Sequence, residues 1–230
     1  MNKENKRGRG MNHGIGLALL LGGLWLGPGG AAQAKDIETD WYGGAGIGVA
    51  DVDMGVITDG SVGNTTEDGT GLSKKFFLGH PVQWDLIPFP LAIEFGYIDL
   101  PKPEFTGTTD ATATLFLANS PVNGRGEGDG IHVAAVGRYS PMQDLDLFGK
   151  LGLLLWDTDL TLVNFLNQSG NPVRATLSEE GLDLFLGFGA QYRIDGTFSV
   201  RGELEYYQVD YRFAEGVSVL NLGVSVVVDF

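Results

Sequence analysis

From Trp41 onward, apolar and polar residues alternate with a period of two, and helical periodicity is weak. The last segment shows it best. Leu220, Leu222, Val224, Val226, Val228 and Phe230 share one face, while Asn221, Gly223, Ser225, Val227 and Asp229 share the other. Eight such segments recur: 41–49, 74–84, 91–100, 130–139, 145–156, 182–194, 198–210 and 217–230. A segment of roughly 10 residues, at ~3.3 Å per residue and ~40° of tilt, spans ~25 Å, the height of the apolar band of an outer-membrane barrel.

The connections alternate in length. Segments two and three, four and five, and six and seven are joined by the short stretches 85–90, 140–144 and 195–197. The stretches 50–73, 101–129 and 157–181 are long, whereas the last connection, near 211–216, is short again. Tight turns on one rim and long loops on the other distinguish a membrane barrel from a soluble sandwich. The pattern predicts an all-β, eight-stranded antiparallel up-and-down transmembrane β-barrel. An unbroken apolar face such as that of the eighth segment, left in water, would invite aggregation. Against lipid it is stabilising.

If the apolar face meets lipid, the polar face points inward. Segment seven then turns Phe198, Val200, Leu204 and Tyr206 outward and Arg201, Glu203, Glu205 and Tyr207 inward. The same count sends Lys75, Glu94, His132, Arg138, Lys150 and Asp183 inward. An eight-stranded interior is only wide enough for side chains to fill it. Buried charges there must pair, because an isolated one is very costly. The expected site is therefore an ion-pair network of Lys75, Glu94, Arg138, Lys150, Asp183, Arg201, Glu203 and Glu205 that plugs the lumen. A narrow conductance gated by exchange of partners is the functional variant.

Composition alone suggests a mildly acidic soluble protein: 230 residues, a formal charge of −14 and no cysteine. Near-zero mean hydropathy agrees equally with strands that alternate lipid-facing and lumen-facing residues between acidic loops. The absence of cysteine excludes disulfides, thiolate metal sites and a cysteine nucleophile. The acidic balance argues against nucleic acid as a partner.

The N-terminus has its own organisation. Lys3, Lys6, Arg7 and Arg9 precede an apolar run over 15–26, then Gly27, Pro28, Gly29 and Gly30, then Ala32-Gln33-Ala34. This is the order of a secretory signal peptide, and the run is too short for a membrane-spanning helix. A signal peptide over 1–34 and a barrel domain over 35–230 are expected. Four of 15 basic and one of 29 acidic residues lie in the leader, so the remaining 196 residues hold 11 and 28 and carry a formal charge of −17.

Several stretches carry a more specific likeness. Trp41-Tyr42-Gly43-Gly44-Ala45-Gly46-Ile47-Gly48, Lys75-Phe76-Phe77-Leu78-Gly79-His80 and Glu94-Phe95-Gly96-Tyr97-Ile98-Asp99-Leu100 come first. Phe148-Gly149-Lys150-Leu151-Gly152, Glu203-Leu204-Glu205-Tyr206-Tyr207 and the terminal strand follow in order. Together they resemble the OmpA-like outer-membrane β-barrel family over nearly the whole chain from Trp41. The resemblance implies periplasmic termini, contact with outer-membrane lipid, and insertion by the barrel-assembly machinery. That machinery would read Leu222, Val224, Val226, Val228 and Phe230 as its C-terminal signal. The sequence ends with the barrel, so the peptidoglycan-binding domain of full-length OmpA is not expected.

Catalytic chemistry finds little support. His80 and His132 fall on opposite faces, which is poor for a metal site. The His and Ser one residue apart that lipid A deacylases use are missing, since Val133 and Ala134 follow His132. Glu203 and Glu205, with Arg201 beside them, fit a salt network better than an acid/base pair. No catalytic residue, metal or cofactor is expected. The expectation is a non-enzymatic, monomeric outer-membrane protein with a structural or surface role; a narrow passive channel and a barrel enzyme acting on lipid are the alternatives.

Overall fold

The computed structural model describes residues 41–53, 56–57, 62–83, 90–109, 117–209, 214–215 and 217–230. The expected signal peptide lies outside the described residues. The first strands are β1 (Tyr42–Asp53), β2 (Val56–Ile57), β3 (Val62–Asp68), β4 (Thr70–Val82), β5 (Leu91–Asp99) and β6 (Glu104–Thr109). Next come β7 (Pro121–Met142), β8 (Leu145–Leu166) and β9 (Pro172–Arg193). The chain closes with β10 (Phe198–Val209), β11 (Ala214–Glu215) and β12 (Val217–Asp229).

Eight of these strands form a closed ring of antiparallel pairs. The order is β1-β4-β5-β7-β8-β9-β10-β12, and β12 returns to β1 from Tyr42↔Asp229 to Asp53↔Ser218. Closure leaves no open sheet edge within the ring, a requirement for backbone in lipid. β6 and β3 add outward from β7, and β2 pairs with β11.

The outer surface carries an apolar belt. Phe76, Phe95, Ile131, Leu151, Leu184, Phe188, Leu222 and Val224 are all exposed. Trp41, Tyr139, Tyr192 and Phe198 ring the end where the first and last described residues meet, at Phe230 N–H to the Trp41 carbonyl, 2.8 Å. We call this the terminal end and the opposite rim the loop end. From Leu182 to Tyr192 the belt runs ~10 residues, again about 25 Å at barrel tilt.

The loops are where the structure departs from the pattern. Residues 101–129 and 157–181 read as long connections, but much of both is strand. β7, β8 and β9 each run 22 residues, well past the belt. Alternation reports a lipid boundary, and a hairpin in water keeps its backbone ladder without an apolar face. The β8–β9 hairpin turns at Asn167, whose side-chain oxygen accepts the backbone N–H groups of Ser169 and Asn171, both at 3.0 Å. Gly170 there takes φ 78°.

Glycines on the inward face make room for large neighbours. A Cβ at Gly79 would fall 2.0 Å from the Tyr42 ring, and one at Gly44 2.2 Å from Phe77. Both rings enter the interior over a strand with no side chain at that point. The interior is therefore layered. Tyr42, Phe77, Ala92, Val136, Phe148 and Val227 cluster at the terminal end. Ile98, Leu100, Leu154, Trp156, Phe185, Tyr207, Val209, Val217 and Val219 belong to a second apolar cluster at the loop end. Charged side chains lie between the two.

Candidate functional site

Six of the eight inward charges meet in that middle layer: Lys75 on β4, Glu94 on β5, Lys150 on β8, and Arg201, Glu203 and Glu205 on β10. Strand β10 supplies three of them because alternate residues 201, 203 and 205 share its inward face. Lys150 Nζ lies 2.6 Å from Glu94 Oε1, 2.6 Å from Glu203 Oε2 and 3.5 Å from Glu205 Oε1. Lys75 Nζ pairs with Glu203 Oε1 at 3.0 Å and with Glu205. Arg201 Nη1 reaches Glu94 Oε2 at 2.7 Å. Three cations face three carboxylates, so the layer is formally neutral.

Polar neighbours complete it. Tyr42 and Tyr207 donate their hydroxyls to Glu94 at 3.2 Å and Glu205 at 2.7 Å. Gln191 Oε1 accepts Arg201 Nε at 3.0 Å and Nη2 at 2.8 Å. Asn221 Nδ2 donates to Glu205 Oε2 at 3.4 Å and its Oδ1 accepts the Ser73 hydroxyl at 2.6 Å. Rings flank the guanidinium of Arg201, whose Cζ lies 4.4 Å from the Phe77 centroid and 4.9 Å from that of Phe148. Arg201, Glu94 and Glu205 are fully buried. A buried charge is tolerable only when it is paired and hydrogen-bonded, and here the partners come from seven strands, β1, β4, β5, β8, β9, β10 and β12.

Two charges sit elsewhere. Arg138 is opposite Phe148 in the register, one inward step nearer the terminal end than Lys150. Its guanidinium lies 4.4 Å from the Tyr42 ring centroid instead of in the ion-pair set. Asp183 is opposite Leu154, four residues toward the loop end from Gly187, the partner of Lys150. It accepts the Trp156 indole N–H at 2.7 Å. Counting alternate residues assigns a face; height along the barrel comes from the stagger between strands, which the count does not contain. Tyr42, Gln191, Tyr207 and Asn221 are site members that a search for charges passes over. Their signal was a polar or phenolic group on an inward face.

Among the C-terminal residues, Leu222, Val224 and Val226 point outward, Val228 is half-buried and Phe230 is exposed at the terminal end. Strand β12 is bonded on both sides, to β1 and β10. Of the histidines, His132 is buried inside and packs edge-on to Phe185 at 5.3 Å, while His80 stacks on Trp41.

Comparison with known proteins bears on this geometry. A family model described as the OmpA-like transmembrane domain matches residues 36–226. The chain is similar to outer membrane protein A of Serratia marcescens, at 24% identity over 92% of this chain and 54% of that protein. It is also similar to outer membrane protein A of Yersinia pseudotuberculosis, at 27% over 76% and 43% respectively. The chain thus spans about half the length of these curated relatives. Among solved structures, Neisserial surface protein A superposes with a TM-score of 0.47 at 10% identity, covering 83% of this chain and 97% of that one.

Proposed function

This chain belongs to the OmpA-like transmembrane domain family of Gram-negative outer-membrane proteins, and from that premise we propose that its barrel is a non-enzymatic, closed structural element of the envelope. One observation carries the reading. The charged layer is neutral, buried and mutually paired, and it lies between two buried apolar clusters. An eight-stranded interior filled in this way leaves the loop end as the part that meets the surroundings, so a surface role falls to the long hairpins of β7, β8 and β9. We place the loop end outside the cell, the belt against outer-membrane lipid, and the barrel as a monomer. The outward apolar residues of β12 ending in Phe230 serve as the signal read by the barrel-assembly machinery.

Planar-bilayer recording tests the closed interior. A silent baseline is expected from the refolded protein. Discrete current steps abolished by substituting Lys150 or Arg201 would replace this reading with a narrow passive channel. That second reading has one observation in its favour: Lys150 and Lys75 share Glu203 and Glu205, so partners can exchange without leaving a charge alone.

A further inference from the structure

Past the belt, the outward face of the barrel continues onto the sheet of β6, β7, β8 and β9. Arg125 stands between Glu104 and Thr161 in the register, and Thr161 opposite Thr176. A concavity of about 400 Å³ opens on this face, lined by Thr106, Asn123, Arg125, Thr161, Val163 and Arg174. On β6 and β7 the alternate residues Phe105 and Gly124 are the buried ones, so the lining side chains point away from the barrel interior. Thr161 and Val163 pair with Arg125 and Asn123 and share their face, and Arg174 lies two residues from Thr176. Nearer the belt this face is acidic, with Asp129, Asp157 and Glu180 side by side and Asp159 above them. At the concavity the sign changes. Its two carboxylates are Glu127, held by Lys102 at 2.7 Å and 3.9 Å from Arg125 Nε, and Glu104, which faces Arg125 across the β6–β7 pair. Arg174 enters no ion pair among the described residues, so Lys102, Arg125 and Arg174 exceed the carboxylates by one charge.

We propose that this concavity holds an anionic sugar unit of the outer-leaflet glycolipid, with Arg125 and Arg174 on its charge and Thr106, Asn123 and Thr161 on its hydroxyls. The inference rests on the placement of the loop end outside the cell. Height selects the occupant first. Thr161 is six residues past Leu155, the last exposed leucine of β8, and Arg174 eight past Leu182 on β9. At barrel tilt these offsets are roughly 15 and 20 Å, above the hydrocarbon and within the sugar layer of a glycolipid leaflet. The face looks sideways into that layer. Chemistry selects next, since guanidinium forks match oxyanions two bonds at a time, and the hydroxyl and amide groups between them suit a saccharide. Arg125 and Arg174 lie two strands apart, so their backbones are separated by about 10 Å or more. A ligand that engages both is longer than a single phosphate.

The test titrates the refolded full chain, in nanodiscs of phosphatidylcholine, by calorimetry. The probes are the deacylated, phosphorylated sugar backbone of deep-rough lipopolysaccharide, maltose and inorganic phosphate. Saturable binding of the backbone is expected, with maltose and phosphate weaker by about tenfold or more. Arg125→Gln together with Arg174→Gln should weaken the backbone about tenfold, the size expected of two exposed charge contacts. Glu104→Gln removes an opposing carboxylate and should strengthen it about threefold. Thr161→Trp, which fills the concavity from β8, repeats the loss if the double variant does not fold. Maltose binding as tightly as the backbone overturns the selection for charge, and phosphate doing so overturns the saccharide. No saturable binding, or binding untouched by both the double variant and Thr161→Trp, overturns the site. Discs that carry the intact glycolipid separate the sources. Native mass spectrometry should show it retained by the wild type and lost from the double variant, and binding of the soluble backbone alone overturns the membrane source. The chain has no cysteine, so Ser169→Cys at the β8–β9 turn reports on orientation through an impermeant maleimide on intact cells. An absent label overturns the placement of the loop end, and absent binding in discs overturns this site, so the two fail separately.

Discussion

The charged layer and the loop-end apolar cluster occupy the same barrel, a few residues apart on the same strands, yet they solve opposite problems. On β10, Arg201, Glu203 and Glu205 enter the layer, and the next inward residues, Tyr207 and Val209, enter the apolar cluster. In the layer, every charge needs a partner placed within a few tenths of an ångström, and the contacts come from seven strands. In the cluster, the side chains need only be apolar and of suitable volume, and a cavity beside Leu154 and Trp156 is tolerated. The layer is therefore specific and brittle, and the apolar cluster forgiving. Tyr207 joins the two, with its ring stacked in the apolar cluster and its hydroxyl on Glu205.

The largest effect should come from unpairing the layer. Glu94→Leu strips Lys150 and Arg201 of their shared carboxylate and is expected to cost about 3–5 kcal/mol, the range for an uncompensated buried charge. The measurement is the urea midpoint of the heat-modifiable band in lipid. Adding Arg201→Met restores neutrality, and most of the loss should return; if the double variant is as unstable as the single one, charge balance is not what holds the layer. Truncating the loop-end apolar cluster comes next. Phe185→Ala is expected to cost ~3 kcal/mol at the same midpoint, with the near-ultraviolet signal of Tyr207 altered. A larger loss there than for Glu94→Leu would reverse the contrast between the regions. Tyr207→Phe keeps the stack and removes one donor from Glu205, so about 1–2 kcal/mol is expected.

The smallest effect lies outside both regions, at the turn between β9 and β10. The Asp195 carboxylate accepts the backbone N–H groups of Thr197 at 2.8 Å and Phe198 at 2.7 Å, which hold its pKa below the ordinary aspartate value. A folded-state pKa that is depressed adds stability present above the unfolded value and lost as the pH falls through the folded one. The contribution of this turn should fade below about pH 4. Asp195→Ala should remove that part of the acid dependence with little change at neutral pH, as followed by amide exchange of Phe198.

The alternation along each strand was enough to read the ring of eight and its two faces. Leu220 to Val226 and Phe198 to Tyr207 alternate between the faces they were expected to occupy, because lipid enforces a period of two, and at the barrel end Val228 is half-buried. Where lipid ends, so does that signal. Residues 121–129 and 157–166 continue their strands with Gly126, Glu127, Gly128 and Asp157 to Asp159, a composition that reads as loop. Within the interior, sequence reports which charges point in but not which share a height. Asp183 and Arg138 are inward by the same rule as Lys150 and sit one or two steps away from it along the axis. The aromatic and amide partners, Tyr42, Tyr207, Gln191 and Asn221, were legible as inward residues and not as partners. Their role follows from which carboxylate each one reaches.

The seam between β1 and β12 has a consequence for how the molecule comes into being. It pairs residues almost the whole described chain apart, from Tyr42↔Asp229 onward. Contacts of such separation are the slowest to form, since the entropy of closing the ring is spent before any of its bonds is gained. Until β12 arrives, β1 and β10 both present bare edges able to pair with another chain. The ring is therefore most vulnerable to mispairing during the interval before its last strand docks, and shielding those two edges is the task that falls to whatever accompanies the chain to the membrane.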